Sequence, residues 1–135
     1  MAKVFIYGTL KRGFPLFDKG LSDATFMGLC QSVQPYPLMI AQDFYGPMML
    51  DQAGQGLVVQ GELFEVPDAH MERLDELESV GAKGSFRSTI EVEPIGGGLR
   101  ETVVSFMKDE SWLDPIHSPL LSDYQDRRFV PPWLR

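Results

Sequence analysis

The residues whose types and spacing point to chemistry are Glu78 and the stretch Lys3-Val4-Phe5-Ile6-Tyr7-Gly8-Thr9-Leu10-Lys11-Arg12-Gly13. In the second of these, an apolar, β-branched and aromatic run reads as a buried strand. Gly8 then lets the backbone come close to something, and Thr9 and Gly13 continue as loop. Peptide N–H groups in such a loop are expected to face a ligand rather than a neighbouring strand. They suit a carboxylate or a developing oxyanion, because they need no reorganisation when charge appears. An ordinary strand ending in a turn has the same spacing, so the pattern alone leaves both readings open.

Glu78 belongs to the one strongly signalled helix, from about Asp68 to Ser79, with Pro67 and Asp68 as its start and Gly81 as its stop. At 100° per residue, His70, Met71, Leu74, Leu77 and Glu78 share one face, while Glu72, Arg73, Asp75 and Glu76 lie on or beyond its edges. A carboxylate on a core-facing stripe in the final turn meets both desolvation and the negative end of the helix dipole. Both penalise its charged form, which is how a glutamate comes to hold a proton near neutrality and to serve as an acid or base. The alternative is a last turn that swings the side chain into water.

Strands must position these groups. The pattern predicts strands at Lys3–Tyr7, around Met27–Gln31, and at Leu38–Ala41, Met48–Leu50, Leu57–Glu65, Arg87–Glu93 and Thr102–Met107, separated by Gly-, Pro- and Asp-containing turns. Gly61 marks either a bulge or a close approach within its strand. Ile90 and Val92 alternate with Glu91 and Glu93, giving that strand one wet face, and Ile95-Gly96-Gly97-Gly98-Leu99 reads as a hairpin connection. From about residue 110 the chain is rich in Pro, Asp and aromatics and is expected to wrap over the body without regular structure, covering part of a pocket.

Composition narrows the classes. The 135 residues, 44% hydrophobic and 23% charged, are expected to form one domain, 1–135, with a core that needs no disulfide or metal staple. A net charge of −7 argues against a nucleic-acid groove or an anionic membrane surface as partner. The basic pairs Lys11-Arg12 and Arg127-Arg128 read as solvated surface pairs or as holders of one small anion. The lone Cys30 reads as a small core residue, and its usage fits a reducing compartment. With no leader-like or membrane-spanning run, a cytoplasmic protein is expected. His70 and His117 have no ligand-spaced partners, so no metal is expected. Ser22, Ser105, Ser111 and Cys30 lie in no nucleophile motif.

Beyond these readings, the chain resembles the γ-glutamyl cyclotransferase-like superfamily, most closely its γ-glutamylamine cyclotransferase branch. The resemblance is carried by Phe5 to Gly13, by Pro35-Tyr36-Pro37-Leu38-Met39-Ile40-Ala41, by Val59-Gln60-Gly61-Glu62-Leu63-Phe64-Glu65-Val66 and by Leu74-Asp75-Glu76-Leu77-Glu78. It implies an α+β fold, a compact mixed β-barrel with a few flanking helices, and a cavity between the first-strand loop and the helix end. It places γ-glutamyl binding on Tyr7, Gly8, Thr9 and Leu10, largely through backbone, and the catalytic glutamate on Glu78. The implied reaction is attack of a γ-glutamyl α-amine on its own side-chain carbonyl, giving 5-oxoproline and a free amine without metal or cofactor. A non-catalytic binding module of the same fold, recognising a γ-glutamyl compound or a protein partner, is the alternative. The chain departs from the family after the catalytic helix. Ser85-Phe86-Arg87-Ser88 stands where related sequences commonly have Tyr-x-Arg, and the loop Ser79-Val80-Gly81-Ala82-Lys83-Gly84 lacks the usual residues. The identity of the leaving amine and the oligomeric state stay open.

Overall fold

Val4, Phe5 and Ile6 are 0%, 0% and 2% exposed, so the first strand is buried on both faces, which explains its unbroken apolar run. In the computed structural model, which describes residues 1–135, this strand, β1 (Ala2–Ile6), is followed by a four-residue helix α1 (Phe17–Gly20) and the long strand β2 (Thr25–Tyr36). A hairpin of β3 (Leu38–Ala41) and β4 (Gly46–Met49) comes next, then β5 (Leu57–Val66), α2 (Met71–Leu77), β6 (Ser85–Pro94) and β7 (Glu101–Lys108).

Five strands close a barrel in the order β1-β5-β2-β6-β7, and β3 and β4 form a separate two-stranded sheet. Closure is made by a parallel contact, Val4 against Val104 and Phe5 against Ser105; the other barrel pairs are antiparallel. This is the mixed barrel that the resemblance implies. No helix is long and apolar enough to cross a membrane.

Strand alternation divides the core into two clusters. Phe5, Cys30, Val59, Leu63, Ile90, Val92, Val103 and Met107 fill the barrel interior with Tyr124 from the C-terminal segment. Val4, Ile6, Phe64 and Phe106 point the other way, onto Met71 and Leu74 of α2 and Leu10 and Leu16 of the first loop. The second cluster therefore fastens the helix and the loop to the same three strands, β1, β5 and β7. Gly61 is a close approach, not a bulge. A Cβ there would lie 2.4 Å from the Ile6 carbonyl oxygen and 2.7 Å from the Phe5 ring. The irregularities fall on the partner strand, between Phe26 and Gly28 and between Gln31 and Pro35.

The helix begins as a 3₁₀ turn, Asp68–His70, and runs on as α2 to Leu77, with Glu78 as its C-cap. The expected stop at Gly81 is corrected to Ser79, which adopts φ 57°. The Ser79 amide donates to the Glu76 carbonyl and the Val80 amide to the Asp75 carbonyl. This is the Schellman pattern with serine in the left-handed position that glycine usually fills. Arg87 of β6 makes a two-pronged ion pair with Asp75, and Arg73 donates to the Gly20 carbonyl and to Asp23. Both ends of the helix are thus tied to the body.

The C-terminal segment, apart from 3₁₀ turns at Glu110–Trp112 and Pro132–Leu134, is irregular but firmly docked. The Leu121 amide donates to the Leu38 carbonyl, the His117 amide to the Ile40 carbonyl, and the Gln60 amide to the Ser122 carbonyl. Lys11 departs from the expectation of a surface pair, for it is 5% exposed. Its Nζ donates to the Tyr124 carbonyl at 2.7 Å and pairs with Asp123 at 3.3 Å, above the Phe14 ring. Lys11→Met keeps the apolar stem but leaves the Tyr124 carbonyl without its donor. A loss of about 1.5–3 kcal/mol is expected, measured by urea denaturation, with faster protease cleavage between residues 113 and 130.

Candidate active site

The loop that leaves β1 is held by its own carbonyls. The Lys11 amide donates to Gly8 O at 3.0 Å and the Leu16 amide to Thr9 O at 2.9 Å, while the Arg12 amide donates to the Glu62 carboxylate at 2.9 Å. The amides of Gly8, Thr9 and Leu10 donate to no protein acceptor. Three fixed donors are therefore left where the chain turns away from the barrel. Glycine is required at position 8 by close approach, since a Cβ there would meet the Pro47 ring of the β3–β4 hairpin at 2.7 Å.

This turn forms one wall of a cavity of about 80 Å³. The end of α2 supplies the opposite wall through Leu77, Glu78 and Ser79, and the end of β7 contributes Phe106, Met107 and Lys108. The hairpin and the C-terminal segment complete it with Phe44, Pro47, Phe129, Pro132 and Arg135. All five residues singled out from the sequence, Tyr7, Gly8, Thr9, Leu10 and Glu78, line this cavity. The tail does cover part of it, as its composition suggested.

Glu78 is the single acidic residue in the lining. Burial pushes its carboxyl up to about 7, against the opposing pull of the Lys108 ammonium, and no hydrogen bond holds its charged form. Tyr7 is 8% exposed, and its hydroxyl donates to the Phe106 carbonyl at 2.5 Å. Burial, and then the Glu78 charge, raise the phenol well above its ordinary value, so it stays neutral. Lys108 Nζ donates to Ser85 Oγ at 2.6 Å and to the Lys83 carbonyl at 3.1 Å, and burial lowers its pKa. A carboxyl that can take up or release a proton near neutrality thus shares one cavity with three free amide donors.

Sequence reasoning did not find Lys83, Lys108 or Arg135. Lys108 closes an apolar strand like many surface lysines, and Arg135 reaches the cavity only because the tail folds back. The substitution at Phe86 lies outside the lining, and its ring packs against the barrel core. Cys30 is 3% exposed, a core residue as expected. Burial raises its thiol to about 12, which keeps it a neutral thiol.

Residues 4–124 match the family described as gamma-glutamyl cyclotransferase, AIG2-like. The gamma-glutamylaminecyclotransferase of Bos taurus is 34% identical over 134 residues, a match spanning 94% of this chain and 77% of that one. The Homo sapiens protein of the same name is 41% identical over 86 residues, 61% of this chain and 56% of that one. In structure, the chain superposes on a crystal structure of an AIG2-like protein from Mus musculus with TM-score 0.86 at 28% identity, covering 100% of this chain and 99% of that one. With its barrel, its amide-lined turn and its cavity glutamate in place, the chain belongs to the AIG2-like gamma-glutamyl cyclotransferase family.

Proposed function

We propose that this protein is a γ-glutamyl cyclotransferase that converts a γ-glutamylamine or γ-glutamyl-amino-acid conjugate to 5-oxoproline and a free amine, with Glu78 as general acid and base. The observation that carries the reading is the pairing, in one cavity, of a carboxyl raised to about 7 with the free amides of Gly8, Thr9 and Leu10. The names of the relatives point the same way.

Ring closure needs three things, and each has a candidate group. The substrate's α-ammonium must lose a proton before its nitrogen lone pair can attack the γ-carbonyl carbon, and the Glu78 carboxylate accepts it. As the new C–N bond forms, the carbonyl oxygen gains charge, which preorganised amide donors stabilise without rearranging. When the tetrahedral centre collapses, the bond to the leaving nitrogen breaks as Glu78 hands over its proton, and the second proton shed by the attacking nitrogen follows by way of Glu78, so the amine departs as its ammonium and 5-oxoproline keeps one N–H. No atom is left over, and Glu78 returns to its starting state. Tyr7 and Leu10 shape the wall that folds the glutamyl chain, and holding amine and carbonyl in near-attack geometry supplies several kcal/mol, with about 7–11 as the ceiling.

The test is release of 5-oxoproline from a panel of γ-glutamyl conjugates by purified protein. Turnover supports the reading. Tight binding of 5-oxoproline without turnover of any conjugate would favour the non-catalytic module. In the enzyme, kcat/KM rises with pH through an acid limb centred near 7, because only the ionised Glu78 accepts the proton. A limb in the ordinary carboxylate range, between 4 and 5, would contradict the assignment.

A further inference from the structure

We infer that Lys108 is the positioning residue for the proton acceptor: its ammonium, clamped in the cavity by Ser85 and the Lys83 carbonyl, sets how readily Glu78 takes up and gives back a proton, acting through space rather than by direct contact. The inference rests on the cyclotransferase reading and gives its acid–base group a partner. The backbone brings the two together. Glu78 caps α2, and the chain then doubles back so that Val80 forms a bridge with Ser85, the first residue of β6. The Gly81 amide donates to the Ser85 carbonyl at 3.0 Å, and the Asp109 amide to the Gly84 carbonyl at 2.8 Å. Ser85 is paired across the sheet with Lys108, the last residue of β7. Two residues past the carboxyl, the chain is therefore pinned beside the strand end that carries the ammonium.

Side-chain contacts fix the ammonium there. Lys108 Nζ donates to Ser85 Oγ at 2.6 Å and to the Lys83 carbonyl at 3.1 Å, which uses two of its three N–H donors. Although Lys108 and Glu78 line the same cavity, no ion pair joins them. The clamp therefore holds the cation near the carboxyl and keeps it from closing onto it. Both partners of the clamp belong to the stretch that departs from the family pattern, Lys83 in the loop 79–84 and Ser85 where related sequences commonly have the tyrosine of Tyr-x-Arg.

Distance decides what such a cation does. In contact, it would favour the carboxylate so strongly that the group would no longer hold a proton near neutrality; held at a remove, it offsets only part of the cost of burial. That balance is found at Glu78, which burial raises to about 7 against the pull of Lys108. In return the Glu78 charge raises the Lys108 pKa while burial lowers it. The other groups around the carboxyl do not share the role. Tyr7, at the end of β1, stays neutral. Lys83 of the loop and Arg135 of the C-terminal segment line the cavity, yet Lys108 is the one cation whose charge acts on Glu78. Arg135 is turned to the Val130 carbonyl and the Phe44 ring. On the helix itself, Asp75 is engaged by Arg87, and Glu76 lies outside the lining.

Lys108→Gln isolates the charge, because a carboxamide can still donate to Ser85 Oγ and to the Lys83 carbonyl. Two readouts are taken, the acid limb of kcat/KM for 5-oxoproline release and the ¹³C titration midpoint of the Glu78 carboxyl. Both are expected to rise from near 7 by about one pH unit, which lowers kcat/KM at pH 6 roughly ten-fold and far less above pH 9. Lys108→Arg restores a cation and should bring both back toward 7. Ser85→Ala keeps the charge but opens the clamp, so the freed ammonium closes on Glu78 and both readouts fall below 7; this variant carries the test if Lys108→Gln does not fold. A uniform loss of kcat/KM at every pH, with limb and midpoint left near 7 in these variants, would mark a merely structural lysine. That result would overturn the inference and leave the cyclotransferase reading intact. Release of no 5-oxoproline by the unaltered protein from any conjugate of the panel would overturn both.

Discussion

Glu78→Gln is expected to lower kcat for 5-oxoproline release by about 10²–10⁴-fold with little change in KM. The carboxamide matches the carboxyl in shape and fills the same place in the wall, but it accepts no proton from the substrate ammonium. The same substitution should stabilise the fold in alkaline solution. The folded-state pKa of Glu78 is raised from 4.5 to about 7, so between these values the native protein keeps a proton that the unfolded chain has released. Its contribution to stability is fully present below 4.5, declines as pH rises toward 7, and is lost above it. With 1.36 kcal/mol per pKa unit, the loss approaches about 3 kcal/mol at its upper bound. Glutamine has no such dependence. The melting temperature of Glu78→Gln relative to the unaltered protein should therefore climb by several degrees between about pH 5 and pH 8. Loss of turnover with a gain in alkaline stability is the signature of a carboxyl kept in an unfavourable place for its chemistry. A variant that loses activity and stability together would instead point to a structural role.

Gly61→Ala should be nearly as damaging, and by a different route. The added Cβ would stand 2.4 Å from the Ile6 carbonyl oxygen and 2.7 Å from the Phe5 ring. The first obstacle is strand backbone, which cannot swing aside as the tip of a long side chain can. Overpacking typically costs about 1–3 kcal/mol, and the upper end is expected here because β1 must move away from β5. Such a movement also carries the loop that lines the cavity, since Tyr7 directly follows Ile6 and the Gly8–Leu10 amides follow Tyr7. A fall in the urea midpoint is therefore expected together with a fall in kcat/KM measured well below that midpoint. An alanine variant with unchanged midpoint and turnover would show that β1 and β5 do not approach as closely as described.

Much of this was legible because it depends on local pattern. The unbroken Val4-Phe5-Ile6 run announced a strand buried on both faces, and Ile90 and Val92 announced their dry face by alternation. Gly8 signalled a close approach and Gly61 a close approach or a bulge, and the partners, Pro47 for one and Ile6 with Phe5 for the other, come from distant parts of the chain. Glu78 was visible as a polar residue on an apolar stripe. What escaped the sequence is set by long-range contact. Ser79 takes the left-handed position that ends the helix, two residues before Gly81, which is itself at φ 84°, and the two capping hydrogen bonds and the tie from Arg87 to Asp75 hold that earlier stop. Lys11 reads as a surface charge until the carbonyl of Tyr124, more than a hundred residues away, covers it. Helix α1 is too short for any periodicity to show. The cations of the cavity come from the ends of separate elements, so no spacing along the chain relates them.

The central claim is that the Glu78 carboxyl faces the cavity and holds its proton near neutrality. The most direct measurement is a ¹³C NMR titration of the glutamate side-chain carboxyls, with the Glu78 resonance assigned by its loss in Glu78→Gln. The account predicts a midpoint near 7 for that resonance. A midpoint between 4 and 5, the ordinary range for a solvated glutamate, would place the carboxyl in water and contradict its role as the proton acceptor.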